Sequence, residues 1–176
     1  EGVAADDDAV YCQTVEVDLD KLCPQVAKPH KVDNVSPIAE VEGTPVQHAI
    51  IGTCTNGRIE DLEVAARILD GKKIAHGMTL TISPASKAVY IEAIHRGYVE
   101  TFLRAGATIA IPGCSGCSGG AYVGIPADGE AVITTANRNF KGRLGNANSF
   151  LYLASPATVA ASALTGCIED SRNYVR

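Results

Sequence analysis

A chain of 176 residues, 46% of them apolar, is long enough to bury one core of its own and short for a multi-domain enzyme. Aromatic residues are only 5% and Trp is absent, whereas Gly numbers 17, a mix that favours helices packed closely on a sheet with tight turns. The net charge of −5 comes with no basic stripe, which argues against sequence-independent nucleic-acid binding, and no apolar run approaches the roughly 20 residues that span a bilayer.

The first residues are acidic (Asp6-Asp7-Asp8) and lack the apolar stretch of a secretory signal. Residues 1–45 read as a lead-in arm. Within it, Val15-Glu16-Val17-Asp18-Leu19 alternates like a short strand, and the Pro- and Lys-rich stretch from Cys23 to Pro37 reads as a connection. From residue 46 to 176 the pattern becomes strand–helix alternation. Val46 to Ile51 is a buried-type strand closed by Gly52. Ile59, Leu62, Ala66 and Leu69 then fall on one face of a helix that Gly71 ends. Met78 to Ser83 is the next strand, stopped by Pro84, and Ser86 to His95 and Val99 to Ala105 are helices bounded by Gly97 and Gly106. Ala107 to Ile111, Ala131 to Thr135 and Ser149 to Leu153 follow as strands. Ser155 and Pro156 then open a last helix running to Leu164 before Gly166.

Strands separated by helices predict an α/β fold, a mainly parallel sheet with helices on both faces, whose ligands bind beyond the carboxyl ends of the strands. Three polar, glycine-bearing segments fall there: Gly52 to Gly57, Gly113 to Cys117, and Asn137 to Arg143.

There are six cysteines, and without a secretion signal a close pair favours metal or redox chemistry over a disulfide framework. Cys114 and Cys117 form a CxxC in a Gly/Ser-rich loop, a spacing that serves zinc, dithiol redox or iron–sulfur centres, or no special role. Cys54 follows a strand and precedes a helix, with Thr55 and Asn56 as candidate caps, a setting that favours a thiolate. Taken alone, without the CxxC, it reads better as a small buried hydrophobe. A sealed zinc site wants four ligands. The chain has no second CxxC, and its histidines (30, 48, 76 and 95) show no paired spacing. Cys167 lies past the last helix and Cys12 and Cys23 in the arm, so these three read as structural or incidental. Arg138 and Arg143, five residues apart beyond a strand, are forks that suit carboxylates, although most arginine pairs simply meet surface acids.

Gly52-Thr53-Cys54-Thr55-Asn56-Gly57-Arg58-Ile59-Glu60-Asp61-Leu62 resembles the first cluster-ligand segment of the aconitase superfamily. Pro112 to Cys117 resembles its second, and Asn137-Arg138-Asn139-Phe140-Lys141-Gly142-Arg143 its substrate-arginine segment. Ala154 to Thr158 resembles the start of its final helix, and order and separations agree across nearly the whole chain. The family often carries Pro inside the CxxC, where this chain has Ser115-Gly116. The sequence is most similar to the third, cluster-binding domain of large subunits of the 3-isopropylmalate dehydratase and homoaconitase type, a three-layer α/β/α unit.

The resemblance implies that Cys54, Cys114 and Cys117 bind three irons of a 4Fe–4S cluster. The fourth iron stays open as a Lewis acid for a 2-hydroxy di- or tricarboxylic acid isomerised by dehydration and rehydration. It implies that Asn137, Arg138 and Arg143 grip the substrate carboxylates. The base and acid partners belong to other large-subunit domains and to a separate small, swivelling subunit, so the chain would be a fragment of a cytoplasmic enzyme, inactive alone, with no catalytic residue of its own. A non-enzymatic zinc or dithiol domain is the alternative, and RNA binding a weaker one that the acidic balance opposes.

Overall fold

A computed structural model describes residues 2–114 and 124–174. Seven strands form one sheet: β1 (Gln25–Ala27), β2 (Val35–Pro37), β3 (His48–Gly52), β4 (Thr79–Ser83), β5 (Thr108–Ile109), β6 (Ala131–Thr134) and β7 (Phe150–Leu153). Their order is β2-β1-β7-β6-β3-β4-β5. Strands β7, β6, β3, β4 and β5 are mutually parallel, and β1 runs antiparallel to both β7 and β2. The helices are α1 (Thr53–Asn56), α2 (Ile59–Leu69), α3 (Lys87–His95), α4 (Tyr98–Ala105) and α5 (Pro156–Thr165). None among the described residues is long and apolar enough to cross a membrane.

The expected α/β fold with a mostly parallel sheet is what forms. Side chains alternate across the strands. Ala49, Ile51, Leu80, Ile82 and Ile133 face a helical layer built from Leu62, Ala65, Leu69, Phe102, Ala105, Val159 and Ala163. Within that layer α2 packs against α5, α4 and α3, and α5 also lies on β3 and β6. The intervening Ile50, Val132 and Leu151 point the other way and meet Leu144. The described cover of that face is therefore the connection after β6, whose Asn and Gly residues close turns (Arg143 N–H to the Phe140 carbonyl, 3.0 Å; Gly145 N–H to that of Gly142, 3.0 Å) and carry no helical apolar repeat.

The local signals for α2, α3, α4 and α5 hold. The Ser86 hydroxyl caps α3 at the Val89 N–H (3.2 Å), and that of Ser155 caps α5 at the Thr158 N–H (3.2 Å), with Pro156 in the first turn. Two readings change. Residues 15–19 form no strand: Val15, Val17 and Leu19 are exposed and no neighbouring strand pairs with them, and Leu19–Lys21 is a single 3-10 turn capped by Asp18. The stretch expected as a connection instead supplies β1 and β2, which extend the sheet through the single β1–β7 register pair Ala27–Leu153.

At the amino end of the parallel strands His48 Nε2 lies 3.0 Å from Glu130 Oε2, which also accepts the Ala127 N–H at 2.7 Å. These bonds, that from His48 first, hold the Glu130 carboxyl below its ordinary range. A carboxyl depressed in the folded state contributes stability that is complete above the unfolded value, about 4.3, and fades as pH falls through the folded one. Glu130→Gln should therefore flatten the acid limb of a plot of melting temperature against pH while leaving the neutral region little changed. An unaltered acid limb would show that this carboxylate is not coupled to folding.

Candidate metal centre and anion site

The chain runs outward from β3 through β4 to β5 and then returns to the other side of β3 to form β6 and β7. The strand order thus reverses between β3 and β6, and a crevice opens beyond their carboxyl ends, where ligands of open α/β sheets bind. Cys54 follows one of these strands and Asn137 the other.

The backbone turns sharply at the end of β3. Gly52 has φ 114° and ψ −131°, and Thr53, with φ 76°, is the only non-glycine of positive φ among the described residues. The turn presses on β4: a Cβ on Gly52 would stand 2.0 Å from the Ser83 carbonyl oxygen, and one on Gly57 would stand 2.5 Å from it. Ala85 N–H closes the contact by donating to the Gly57 carbonyl at 2.9 Å. Between these two glycines the single turn α1 holds the Cys54 thiol out to solvent.

Contrary to the expectation from the sequence, Thr55 and Asn56 do not cap the following helix. That role falls to Asp61, whose carboxylate accepts the Arg58 N–H at 3.0 Å. Thr55 and Asn56 face the crevice instead. Asn137 Nδ2 donates to Thr55 Oγ1 at 2.7 Å, and Asn56 Nδ2 donates to the Thr135 carbonyl at 2.6 Å. Buried Thr53 keeps its hydroxyl without a partner among the described residues.

Cys114 is exposed and is reached from the same strand end. Gly113 N–H donates to the Pro84 carbonyl at 2.9 Å, and the Ser83 hydroxyl donates to the Gly113 carbonyl at 3.3 Å. Ser83 and Pro84 are therefore a shared floor for the Cys54 turn and for the residue preceding Cys114. Cys117 lies outside the described residues, and among those described no three His, Cys, Asp or Glu gather as a metal-binding group.

The remaining described thiols are elsewhere. Cys12 is in the exposed lead-in, and Cys23 Sγ accepts from Gln25. Cys167 pairs with Pro45, at the amino end of β3. A five-residue strand separates that end from Cys54 by roughly 16 Å. A fourth sulfur that would seal a zinc site is thus missing from the described part of the crevice. Two soft thiols on adjacent turns, flanked by amide and hydroxyl groups, are donors whose chemistry fits an iron–sulfur cluster.

Of the two arginines, Arg138 is exposed, and its Nη1 donates to the Asn137 carbonyl at 3.1 Å. Arg143 is half-buried, with its guanidinium carbon 5.5 Å from the Phe140 ring centre and a buried Nε that has no acceptor among the described residues. Such a donor is costly unless a ligand satisfies it. Its recorded neighbour is Phe140 rather than either cysteine turn, so the structure ties Asn137 directly to the Cys54 turn and Arg143 only through the chain. Sequence reasoning missed Asn139 as an anchor. Fully buried, it donates through Nδ2 to the carbonyls of Lys28 (2.9 Å) and Lys31 (3.2 Å), fastening the arginine segment to the turn after β1. Its place between two assigned residues was the only available signal.

The model of the aconitase family (aconitate hydratase) matches residues 38–166. Over 173 residues the chain is 53% identical to the 3-isopropylmalate dehydratase large subunit 2 of Archaeoglobus fulgidus, covering 98% of this chain and 41% of that protein. It is 54% identical over 172 residues to the probable methanogen homoaconitase large subunit of Methanosarcina mazei, covering 98% and 43%. To the 3-isopropylmalate dehydratase large subunit 1 of Thermotoga maritima it is 47% identical over 173 residues, covering 97% and 41%. The chain spans about two fifths of the length of the curated relatives it matches.

Proposed function

The chain belongs to the aconitase family, and on that premise we propose that it is the cluster- and substrate-binding unit of a hydro-lyase that isomerises a 2-hydroxy di- or tricarboxylic acid. The observation that carries this reading is the common seat of the Cys54 turn and the approach to Cys114 on Ser83–Pro84, with Asn137 bonded to Thr55 across the crevice. Cys54, Cys114 and Cys117 are the thiolates that would hold a 4Fe–4S cluster. When bound, such a cluster with one iron free of protein ligands supplies a Lewis acid for the departing and returning hydroxyl.

The chain's own part is to bind and orient. Arg138, exposed at the crevice with one weak backbone partner, has its fork available for a substrate carboxylate. Arg143 offers its unpaired Nε to a second carboxylate. Asn137 fixes the segment that carries both. Dehydration also removes a proton from the carbon next to the one that loses hydroxyl, and no side chain among the described residues of this crevice is placed for that. The Ser155 hydroxyl caps α5 and donates to Thr158 Oγ1 at 3.1 Å. On this reading the base and acid belong to other domains of a longer large subunit and to a separate small subunit, in line with the large-subunit names of the relatives.

The test is to supply those parts. We expect no turnover of a 2-hydroxy dicarboxylate by the cluster-loaded chain alone, and formation of the unsaturated acid, followed by ultraviolet absorbance, once the full large subunit and its small subunit are combined. In that assembly Arg138→Lys should raise KM by roughly 10–100-fold with a smaller change in kcat, the loss of a bidentate charged contact. Turnover by the isolated chain, or an Arg138→Lys enzyme with unchanged KM, would refute the assignment.

A further inference from the structure

We propose that Thr135 is a positioning residue that locks the thiolate-bearing Cys54 turn to the Asn137–Arg138 segment. The proposal rests on the reading of Cys54 as a cluster ligand and of Arg138 as a carboxylate grip. Thr135 follows β6 directly and is 1% exposed. Its N–H makes the last bond towards β3, to the Ile50 carbonyl at 3.1 Å. Its hydroxyl then does two things at one residue: Oγ1 accepts the Gly52 N–H at 2.8 Å and donates to the Gly52 carbonyl at 3.2 Å. Its carbonyl accepts Asn56 Nδ2 at 2.6 Å.

Cys54 is thereby bracketed, by Gly52 on one side and Asn56 on the other, both held by a single residue three positions before Arg138. Asn137 adds a further tie to Thr55. The β3–β6 ladder ends at the pair Ile50–Thr134, so on this side the Gly52 N–H and carbonyl meet the Thr135 side chain instead of a backbone group. Only a side chain that both donates and accepts can satisfy its N–H and carbonyl together. Threonine and serine do this, whereas valine has the same shape and does neither. The metal-ligand turn and the arginine segment accordingly move as one body, so a thiolate on β3 and a carboxylate grip on β6 keep a fixed separation.

The test compares Thr135→Val with Thr135→Ser. In the metal-free chain, hydrogen exchange at the Gly52 amide should quicken by about tenfold or more in the valine variant and stay near the parent rate in the serine variant. In the chain loaded anaerobically with iron and sulfide, loss of iron to a chelator should quicken by roughly 10–100-fold in Thr135→Val and be restored by serine. A core variant on the helical side, Leu69→Ala, controls for loss of stability alone and should leave iron loss at the parent rate. Should Thr135→Val not fold, Asn56→Ala breaks the second tie, and its iron loss should change in the same direction to a smaller degree. Unchanged Gly52 exchange, or iron loss in Thr135→Val no faster than in the Leu69→Ala control, overturns the proposal. Failure of the parent chain to take up a cluster refutes the functional reading instead, and Gly52 exchange still decides whether the clasp exists.

Discussion

Gly52→Ala is expected to be severely destabilising. The added methyl would sit 2.0 Å from the Ser83 carbonyl oxygen, 2.8 Å from its carbon and 3.2 Å from its nitrogen. All three are backbone atoms of β4, which is paired on both sides and has no rotamer to yield. The backbone conformation, φ 114° and ψ −131°, is also one that only glycine enters freely. Relieving the overlap requires parting β3 from β4 at the crevice, at a cost above about 4 kcal/mol, the range that marks a specific steric failure. That is a large share of the roughly 5–15 kcal/mol a domain has in hand. Gly43→Ala is the control: its φ is also positive but nothing stands within 4 Å, so about 1–2 kcal/mol is expected. Denaturant melts of the two variants separate close approach from conformational strain. A Gly52→Ala midpoint no lower than that of Gly43→Ala would contradict the packing described.

Cys54→Ser should have the opposite profile: normal folding and complete loss of the cluster. The thiol is exposed and its recorded contact is a 3.7 Å approach to Thr55 Oγ1, so the substitution removes little packing. Oxygen replaces sulfur at a centre built for soft ligands, and two remaining thiolates do not retain a cube. Iron and acid-labile sulfide per chain, measured after anaerobic reconstitution, should fall to background in Cys54→Ser and Cys114→Ser. Both should stay at the parent level in Cys12→Ser and Cys167→Ser, whose sulfurs lie in the lead-in and at the amino end of β3. Full loading of Cys54→Ser would remove the residue from the ligand set.

Much of this was legible in the residues because local signals agreed with the fold. Pro84 and Gly52 stop strands where the sheet stops, and Ser155-Pro156 opens α5 where expected. Ile59, Leu62, Ala66 and Leu69 lie on the face that α2 turns to the core. What escaped was set by distant partners. β1 and β2 are three residues each, one of them ending in Pro37; they pair with each other, and β1 joins β7 through one register pair. The cover of the second sheet face by Leu144 carries no periodic signature. Cys54 was expected between a strand and a helix capped by Thr55 or Asn56, yet it occupies its own turn, and Asp61 serves the following helix. The roles of Thr135 and Ser83 depend on backbone atoms 83 and 30 residues away, and no short motif announces such partners.

The most direct measurement is thiol mapping of the chain before and after anaerobic loading with iron and sulfide, by brief alkylation and mass spectrometry. Our account predicts that all the exposed thiols react in the metal-free chain, and that loading shields Cys54, Cys114 and Cys117 together while Cys12 continues to react. If Cys54 in the loaded chain is modified as quickly as Cys12, while the CxxC pair is protected, the sulfur beyond β3 does not share a centre with the loop beyond β5, and the assignment fails.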